Sequence, residues 1–251
     1  MRLGAILGPV TDGGEAGWLA GQARRFEQSG YASLWTVHTV GRGFMMTDPF
    51  VALAVAATAT DEVELGTAVV QVPLYPPAGL AHLVLSTMQL AGSRLVLGVG
   101  VGSTEADFAA HGRDHRRRFA DFESAVDELR ELFEEGRGEG FDLAPWPTVR
   151  GGPPLFLGSW GAGVERAAAS YDGWIASAHY RTVDEIREAL GRYRAAGGRR
   201  AVVSTIQLGA DTDLGAARDK LAAFADMGFD DAVVMLMPGG PTPEAVRDLV
   251  V

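Results

Sequence analysis

Eight times along the chain an apolar, β-rich run gives way to a stretch of helical periodicity, and this alternation constrains the fold more than any single motif. The expected strands are 2–7 ("RLGAIL"), 31–37 ("YASLWTV"), 63–70 ("VELGTAVV"), 94–100 ("RLVLGVG"), 155–158 ("LFLG"), 173–177 ("GWIAS"), 201–207 ("AVVSTIQ") and 231–237 ("DAVVMLM"). Helices are expected at 14–29, 49–60, 78–91, 121–135, 161–170, 182–196, 212–227 and 242–250. Asp48-Pro49 opens the second with a cap and an N1 proline, and Gly30 follows the end of the first. The stretch 136–154 is rich in Gly and Pro and reads as irregular.

Parallel strands need crossover connections, so strict βα alternation predicts a parallel sheet with helices outside it. Eight units in 251 residues suit one closed (β/α)8 TIM barrel of the α/β class, spanning 1–251 as a single domain. The competing reading starts from "RLVLGVGVGSTEADFAAHG" (94–112), where glycines follow a strand and precede an acidic helix. A dinucleotide fingerprint needs Gly at the first, third and sixth positions, after the first strand of the sheet. Gly98 and Gly100 fit, Ser103 stands at the sixth place, and the turn follows strand four. A barrel-rim turn is the better reading.

Charge and composition remove several functions. A net charge of -10 disfavours nucleic acid and anionic membranes, which both call for basic clusters. With no cysteine there is no thiolate nucleophile, disulfide or Cys-ligated metal. No apolar run reaches the ~18 residues of a membrane span, and the short N-terminal apolar stretch breaks at Gly8-Pro9, so a cytoplasmic location is expected.

Barrel chemistry lies at the C-terminal strand ends. In order these carry Gly8-Pro9, His38-Thr39, Gln71, Gly100 to Thr104, Gly158-Ser159, Ser177 with His179, Gln207, and Met237-Pro238. No strand ends in the carboxylates or paired histidines of a metal hydrolase, and no lysine is placed for Schiff-base chemistry. Such a rim either binds without reacting or borrows a cofactor. In "LFLGSWGAGVERAA", backbone N–H groups from Gly158, Ser159 and the turn to Gly163 lead into a helix N-terminus, which suits an anion; an ordinary βα loop has the same look. "GTAVVQVPLYPP" is an apolar strand entering a proline-rigid loop, able to back a flat ring or simply to pack the barrel.

In order and spacing these stretches resemble the bacterial luciferase-like monooxygenase family, whose members are barrels using FMN or the deazaflavin F-420. The resemblance runs through "SLWTVH", "TDPFVALAVAATATDEVELGTAVVQVPLYPPAGLAHLVLSTMQLAGSRLVLGVGVGSTEADFAAHG", "RRRFADFESAVDELRELF" and "PPLFLGSWGAGVERAAASYDGW". It implies His38 as the active-site histidine, a proton carrier or ring-orienting donor. Ala68-Val69 then matches the place of a non-prolyl cis bond behind the cofactor ring. Gly100, Val101, Gly102 and Ser103 would line the cofactor, and Gly158, Ser159 and Trp160 would hold its phosphate. It further implies an oxidoreductase passing hydride between a reduced cofactor and a small organic substrate, with a homodimer by analogy. His179 is a weaker candidate for substrate contact.

This chain departs from the family pattern in one turn. Val101 stands where the luciferases carry an arginine beside the flavin phosphate, and Ser103 where several F-420 reductases carry a glutamate, with Glu105 two residues on. The missing arginine favours F-420 over FMN. An FMN-dependent monooxygenase, or a non-catalytic flavin- or ligand-binding barrel, are the alternatives.

Three further features have plainer readings. His111 and His115 stand four apart, but the zincin glutamate is missing and Gly112 weakens a helix, so no metal site is expected. The basic run "HRRRF" (115–119) could attract the acidic tail of F-420 or be a solvated helix start. Of Trp35, Trp160 and Trp174, only Trp160 falls in a loop; the other two read as core.

Overall fold

The computed structural model describes residues 1–8 and 14–250; Pro9, read from the sequence as part of the first strand end, lies outside them. Eight strands alternate with helices: β1 (Arg2–Ile6), β2 (Ser33–Thr36), β3 (Glu64–Thr67), β4 (Leu95–Gly100), β5 (Leu155–Gly158), β6 (Gly173–Ser177), β7 (Arg200–Leu208) and β8 (Asp231–Leu236). Each pairs in parallel with its neighbour in sequence, and β8 returns to β1 through Arg2↔Asp231 to Ala5↔Val234. The ring is a (β/α)8 barrel. The helices are α1 (Trp18–Gln28), α2 (Pro49–Ala59), α3 (Pro77–Ala91), α4 (Glu105–Ala110), α5 (Arg118–Glu134), α6 (Gly163–Ser170), α7 (Val183–Ala195), α8 (Leu214–Met227) and α9 (Pro243–Arg247).

Where boundaries differ from expectation, local chemistry gives the reason. The first helix was expected from residue 14 and begins at Trp18, because Gly17 at its N-cap is left-handed, with φ 85°. The fifth begins at Arg118 rather than 121, after a single 3-10 turn capped by Asp114, whose side chain accepts the Arg116 N–H at 2.9 Å. The last helix stops at Arg247. The expected strand 63–70 is interrupted: β3 ends at Thr67, the Ala68-Val69 peptide bond is cis, and Val70 and Gln71 pair again, opposite Val99 and Gly100. The stretch 136–154 contains a small hairpin, Arg137–Gly138 against Phe141–Asp142.

The core has two layers. Inside the barrel, Ile6, Trp35, Val96, Phe156, Ile175 and Val202 pack with Val233 and Met235. Trp35 is the largest of these and fits because its neighbours are glycines: a Cβ on Gly66 would lie 2.5 Å from its ring, and one on Gly4 3.1 Å from its indole nitrogen. Its N–H donates to Ser33 Oγ at 2.8 Å, so the buried indole is satisfied. Trp174 points the other way, into the layer between barrel and helices, with Tyr193 and Phe229 at centroid distances of 5.4 and 6.1 Å.

The N-terminal end of the barrel is closed by charge. Arg2 and Arg200 each bridge Glu64 and Asp231, with Asp231 fully buried. Burial pushes the Asp231 carboxyl up to about 6 and the Glu64 carboxyl up to about 7, against the pull of Arg2. This network lies opposite the strand ends where barrel enzymes do their chemistry.

Candidate active site

His38 follows β2 and is 5% exposed. Three contacts hold it. The Gln71 backbone N–H donates to Nδ1 at 3.4 Å, the Gln71 side-chain amide donates to the His38 carbonyl at 2.8 Å, and the Tyr75 hydroxyl lies 3.5 Å from Nε2. Burial, helped by the neighbouring His111, lowers the His38 pKa to about 4, so near neutral pH the ring is uncharged. Because Nδ1 accepts from Gln71, the hydrogen of the neutral ring belongs on Nε2. His38 is thus an uncharged ring whose Nε2 faces the Tyr75 hydroxyl.

The support beneath it comes from Gln71, read from the sequence as a strand-end residue, and from Asp107 and Arg42, which the sequence did not single out. Gln71 Nε2 donates both to the His38 carbonyl and to Asp107 Oδ2, the latter at 2.7 Å. Asp107, on α4, is fully buried; it accepts from the Val40 N–H at 3.2 Å and pairs with Arg42 through its Nε and Nη2. Burial acts to raise this carboxyl, but the bonds from Arg42, Gln71 and Val40 outweigh it and hold the group below the ordinary carboxylate range. One carboxylate therefore ties the loop after β2, the end of the β3 segment and the loop after β4 together. Gln71 Oε1 is buried without a hydrogen-bond partner among the described residues.

Tyr75 and His111 complete a cluster of rings. Their centroids lie 5.4 Å and 5.8 Å from His38, and Phe50 packs edge-on to Tyr75 at 6.2 Å. Burial raises the Tyr75 hydroxyl far above its ordinary range, and the Asp48 carboxylate adds to the effect, so it stays protonated. His111 and His115 do not form a pair: His111 Nδ1 meets the Asp107 carbonyl at 2.9 Å, whereas the His115 ring packs on Phe108 at 5.1 Å.

Beside this cluster the barrel mouth has an apolar floor. Val69, next to the cis bond, fills the space that side chains on Gly100 and Gly158 would need: a Cβ on Gly100 would lie 2.5 Å from its Cγ2, and one on Gly158 2.6 Å from its Cγ1. Gly102 lies over Gln71 and Phe108, with a Cβ there 2.4 Å from Gln71 Oε1. These glycines make close packing possible at the mouth. Val101 packs partly buried on the outer core, and Ser103 and Glu105 are exposed.

The turn from Gly158 into α6 presents free backbone donors among the described residues. The backbone N–H groups of Trp160, Gly161 and Ala162 find no acceptor among the described residues and lead into the first turn of the helix. Ser159 spends its hydroxyl proton on the Gly163 carbonyl at 2.8 Å. Two cations flank the turn: Arg192 pairs with Glu165 and reaches the Gly161 carbonyl, and Arg181 lies 5.1 Å above the Trp160 ring. His179 is exposed and meets the Tyr180 ring edge-on, with centroids 3.9 Å apart. Three groups of the site, Asp107, Arg42 and Tyr75, carried no sequence signal, since only burial and contact distinguish them from other acidic, basic and aromatic residues.

Comparison with known proteins agrees with this architecture. The sequence profile of the luciferase-like monooxygenases matches residues 5–237. An uncharacterised protein of Mycobacterium tuberculosis is 29% identical over 210 residues, covering 79% of this chain and 72% of its own. Among solved structures, an F-420-dependent secondary alcohol dehydrogenase in complex with an F-420–acetone adduct superposes with a TM-score of 0.77 at 15% identity, over 99% of this chain and 97% of that one. The FMN complex of a type II Baeyer–Villiger monooxygenase, the oxygenating constituent of 3,6-diketocamphane monooxygenase from Pseudomonas putida, superposes with a TM-score of 0.69 at 17% identity, over 87% and 70%. With a closed barrel, a buried histidine after its second strand and a family profile running through nearly all of its length, this chain belongs to the luciferase-like monooxygenase family.

Proposed function

We propose that the protein is an oxidoreductase that passes hydride between a reduced F-420 or FMN cofactor and a small organic substrate, with F-420 favoured. The observation that carries this reading is the neutral, buried His38 beside an apolar floor, with a separate turn whose backbone N–H groups have no acceptor among the described residues. The unpartnered N–H groups of residues 160–162 and the nearby Arg181 suit a phosphate or phosphodiester. Val69, with Gly100 and Gly158 beneath it, offers a smooth apolar surface to one face of a ring. The cofactor would supply two-electron chemistry. The chain would supply orientation, a dry floor and the uncharged His38 ring.

Val101, in place of an arginine, leaves the β4 turn without a cation for a flavin phosphate, which favours F-420. FMN-dependent oxygenation is the second reading, and the matched FMN-bound monooxygenase favours it. The deciding experiment is a fluorescence titration of the purified protein with oxidised F-420 and with oxidised FMN. Saturable binding of F-420, in the micromolar range or tighter and at least about tenfold tighter than FMN (about 1.4 kcal/mol), is the expected result. A preference for FMN would transfer the reading to oxygen chemistry. Binding of neither would leave a ligand-binding barrel without a redox role.

A further inference from the structure

Strand β7 changes face part-way along, and the change delivers two hydroxyl groups to the barrel mouth. Strict alternation from Val202, which packs inside the barrel, would put Ser204 and Ile206 inside with it and Thr205 outside. Ile206 and Leu208 instead pack in the outer layer, between barrel and helices. The register gives the reason. Val203 pairs with Ala232 and Ile206 with Val234, so Ser204 and Thr205 together stand opposite Val233. This is a β-bulge, and Thr205 carries it with a φ of 59°, a conformation that β-branched residues rarely take. Val233 faces the barrel interior, and so do the two residues opposite it. Beyond the bulge Gln207 pairs with Met235, another inward residue, and is exposed.

Ser204 also pairs with Ser177, the last residue of β6, so these hydroxyls lie at the strand ends where the candidate site is. Their bonding leaves one proton over. Ser204 is fully buried, and its Oγ lies 3.3 Å from Thr205 Oγ1, with no other hydrogen bond to Ser204 Oγ or Thr205 Oγ1 among the described residues. A buried O–H needs an acceptor, so Ser204 donates, and the half-buried Thr205 keeps a free O–H.

We propose that Thr205 is a specificity-determining residue of the site, donating a hydrogen bond to an uncharged oxygen of the substrate. The contact rests on the oxidoreductase reading above, in which a cofactor ring lies with one face on Val69. In the ring of eight strands β7 stands four places from β3, so Thr205 is across the mouth from Val69. The substrate takes the free face of the cofactor ring, on the side of β7. At the mouth end of this wall the inward residues are Ser177, Ser204, Thr205 and Gln207, none of them charged. A carboxylate or phosphate there would lose water and gain no cation, so the wall favours a neutral group. The bulge makes the contact. In a regular strand the Thr205 hydroxyl would face the helices, and Ile206 would take its place at the mouth.

Two experiments test this. Thermal unfolding of the cofactor-free protein compares Thr205→Gly with Thr205→Ala, both of which lack the hydroxyl. At a positive φ glycine has no steric cost, so Thr205→Gly should melt at the same temperature as Thr205→Ala or higher. A lower midpoint for Thr205→Gly is the behaviour of a regular strand and would overturn the proposal. The second experiment titrates cyclohexanone and cyclohexanecarboxylate, a neutral and a charged probe with the same ring, into the protein holding whichever of F-420 and FMN it binds. Ligand-observed NMR reads the affinities. Cyclohexanone should bind about fivefold more weakly to Thr205→Val, which keeps the side-chain shape, and with parent affinity to Thr205→Ser, which keeps the hydroxyl. The carboxylate should bind the parent at least about tenfold more weakly than the ketone. Cofactor affinity should be the same in all three proteins, and circular dichroism checks that they fold, with Thr205→Ala in place of Thr205→Val if that variant does not. No cyclohexanone binding by the parent, equal binding by Thr205→Val, or a preference for the carboxylate would overturn this proposal alone. A cofactor affinity that falls in Thr205→Val would give the hydroxyl to the cofactor and overturn it as well. Failure of both F-420 and FMN to bind would overturn the oxidoreductase reading, and the proposal with it.

Discussion

A histidine in water is half-charged near pH 6.5, but His38 gains its proton only near pH 4, because burial takes away the water that would solvate the cation. The unfolded chain binds this proton first, so the contribution of His38 to stability is complete above about pH 6.5 and is lost as pH falls toward 4. Over that whole window the loss amounts to about 3 kcal/mol. Urea unfolding of the parent and of His38→Gln between these limits should show a steeper acid loss for the parent. Parallel curves would mean that the imidazole is solvated in the folded protein.

At the scale of elements, the mouth of the barrel depends on one β-branched side chain reaching across two strands. Val69 is stiff at χ1 and occupies the space over both Gly100 and Gly158. Gly100→Ala or Gly158→Ala should each destabilise by about 1–3 kcal/mol, through overpacking against Val69. Combining either with Val69→Ala should recover much of that loss, a coupling that thermal unfolding of the four proteins in a double-mutant cycle would measure. Strict additivity would show that the strands yield instead. Asp107 works at the same scale. Its bonds to Val40, Arg42 and Gln71 join loops from three strand ends, so it sets where His38 stands without belonging to the loop that carries it.

For the whole molecule, the two ends of the barrel are held by different chemistry. The end that carries His38 has a cluster of rings and the Arg42–Asp107 ion pair beneath it, whereas the opposite end is sealed by Arg2 and Arg200 across Glu64 and Asp231. Arg200→Ala would leave one buried and one largely buried carboxylate with Arg2 as their remaining partner, and should cost about 3 kcal/mol of unfolding free energy. Cofactor affinity should be unchanged, since Arg200 stands at the start of β7 and the mouth is at the strand ends. A loss within about 0.5 kcal/mol would show that the pair behaves as a surface salt bridge. Among the described residues no helix is long and apolar enough to cross a membrane.

The alternation of apolar runs and helical periods settled the barrel, because side-chain period is a local property: β5 and β6 fall at 155–158 and 173–177, as read from the sequence. Position along the chain also placed His38 and the turn at Gly158 at strand ends, since the strands they follow were legible. Tertiary structure decided the rest. The break in the third strand at Ala68-Val69, the burial of Asp107, the approach of Tyr75 to His38 and the turning of His111 away from His115 all depend on contacts between segments far apart in sequence. Which nitrogen of each histidine carries its hydrogen is decided the same way. A one-dimensional pattern records which face a residue takes, but a pKa or a tautomer is set by what closes over that face.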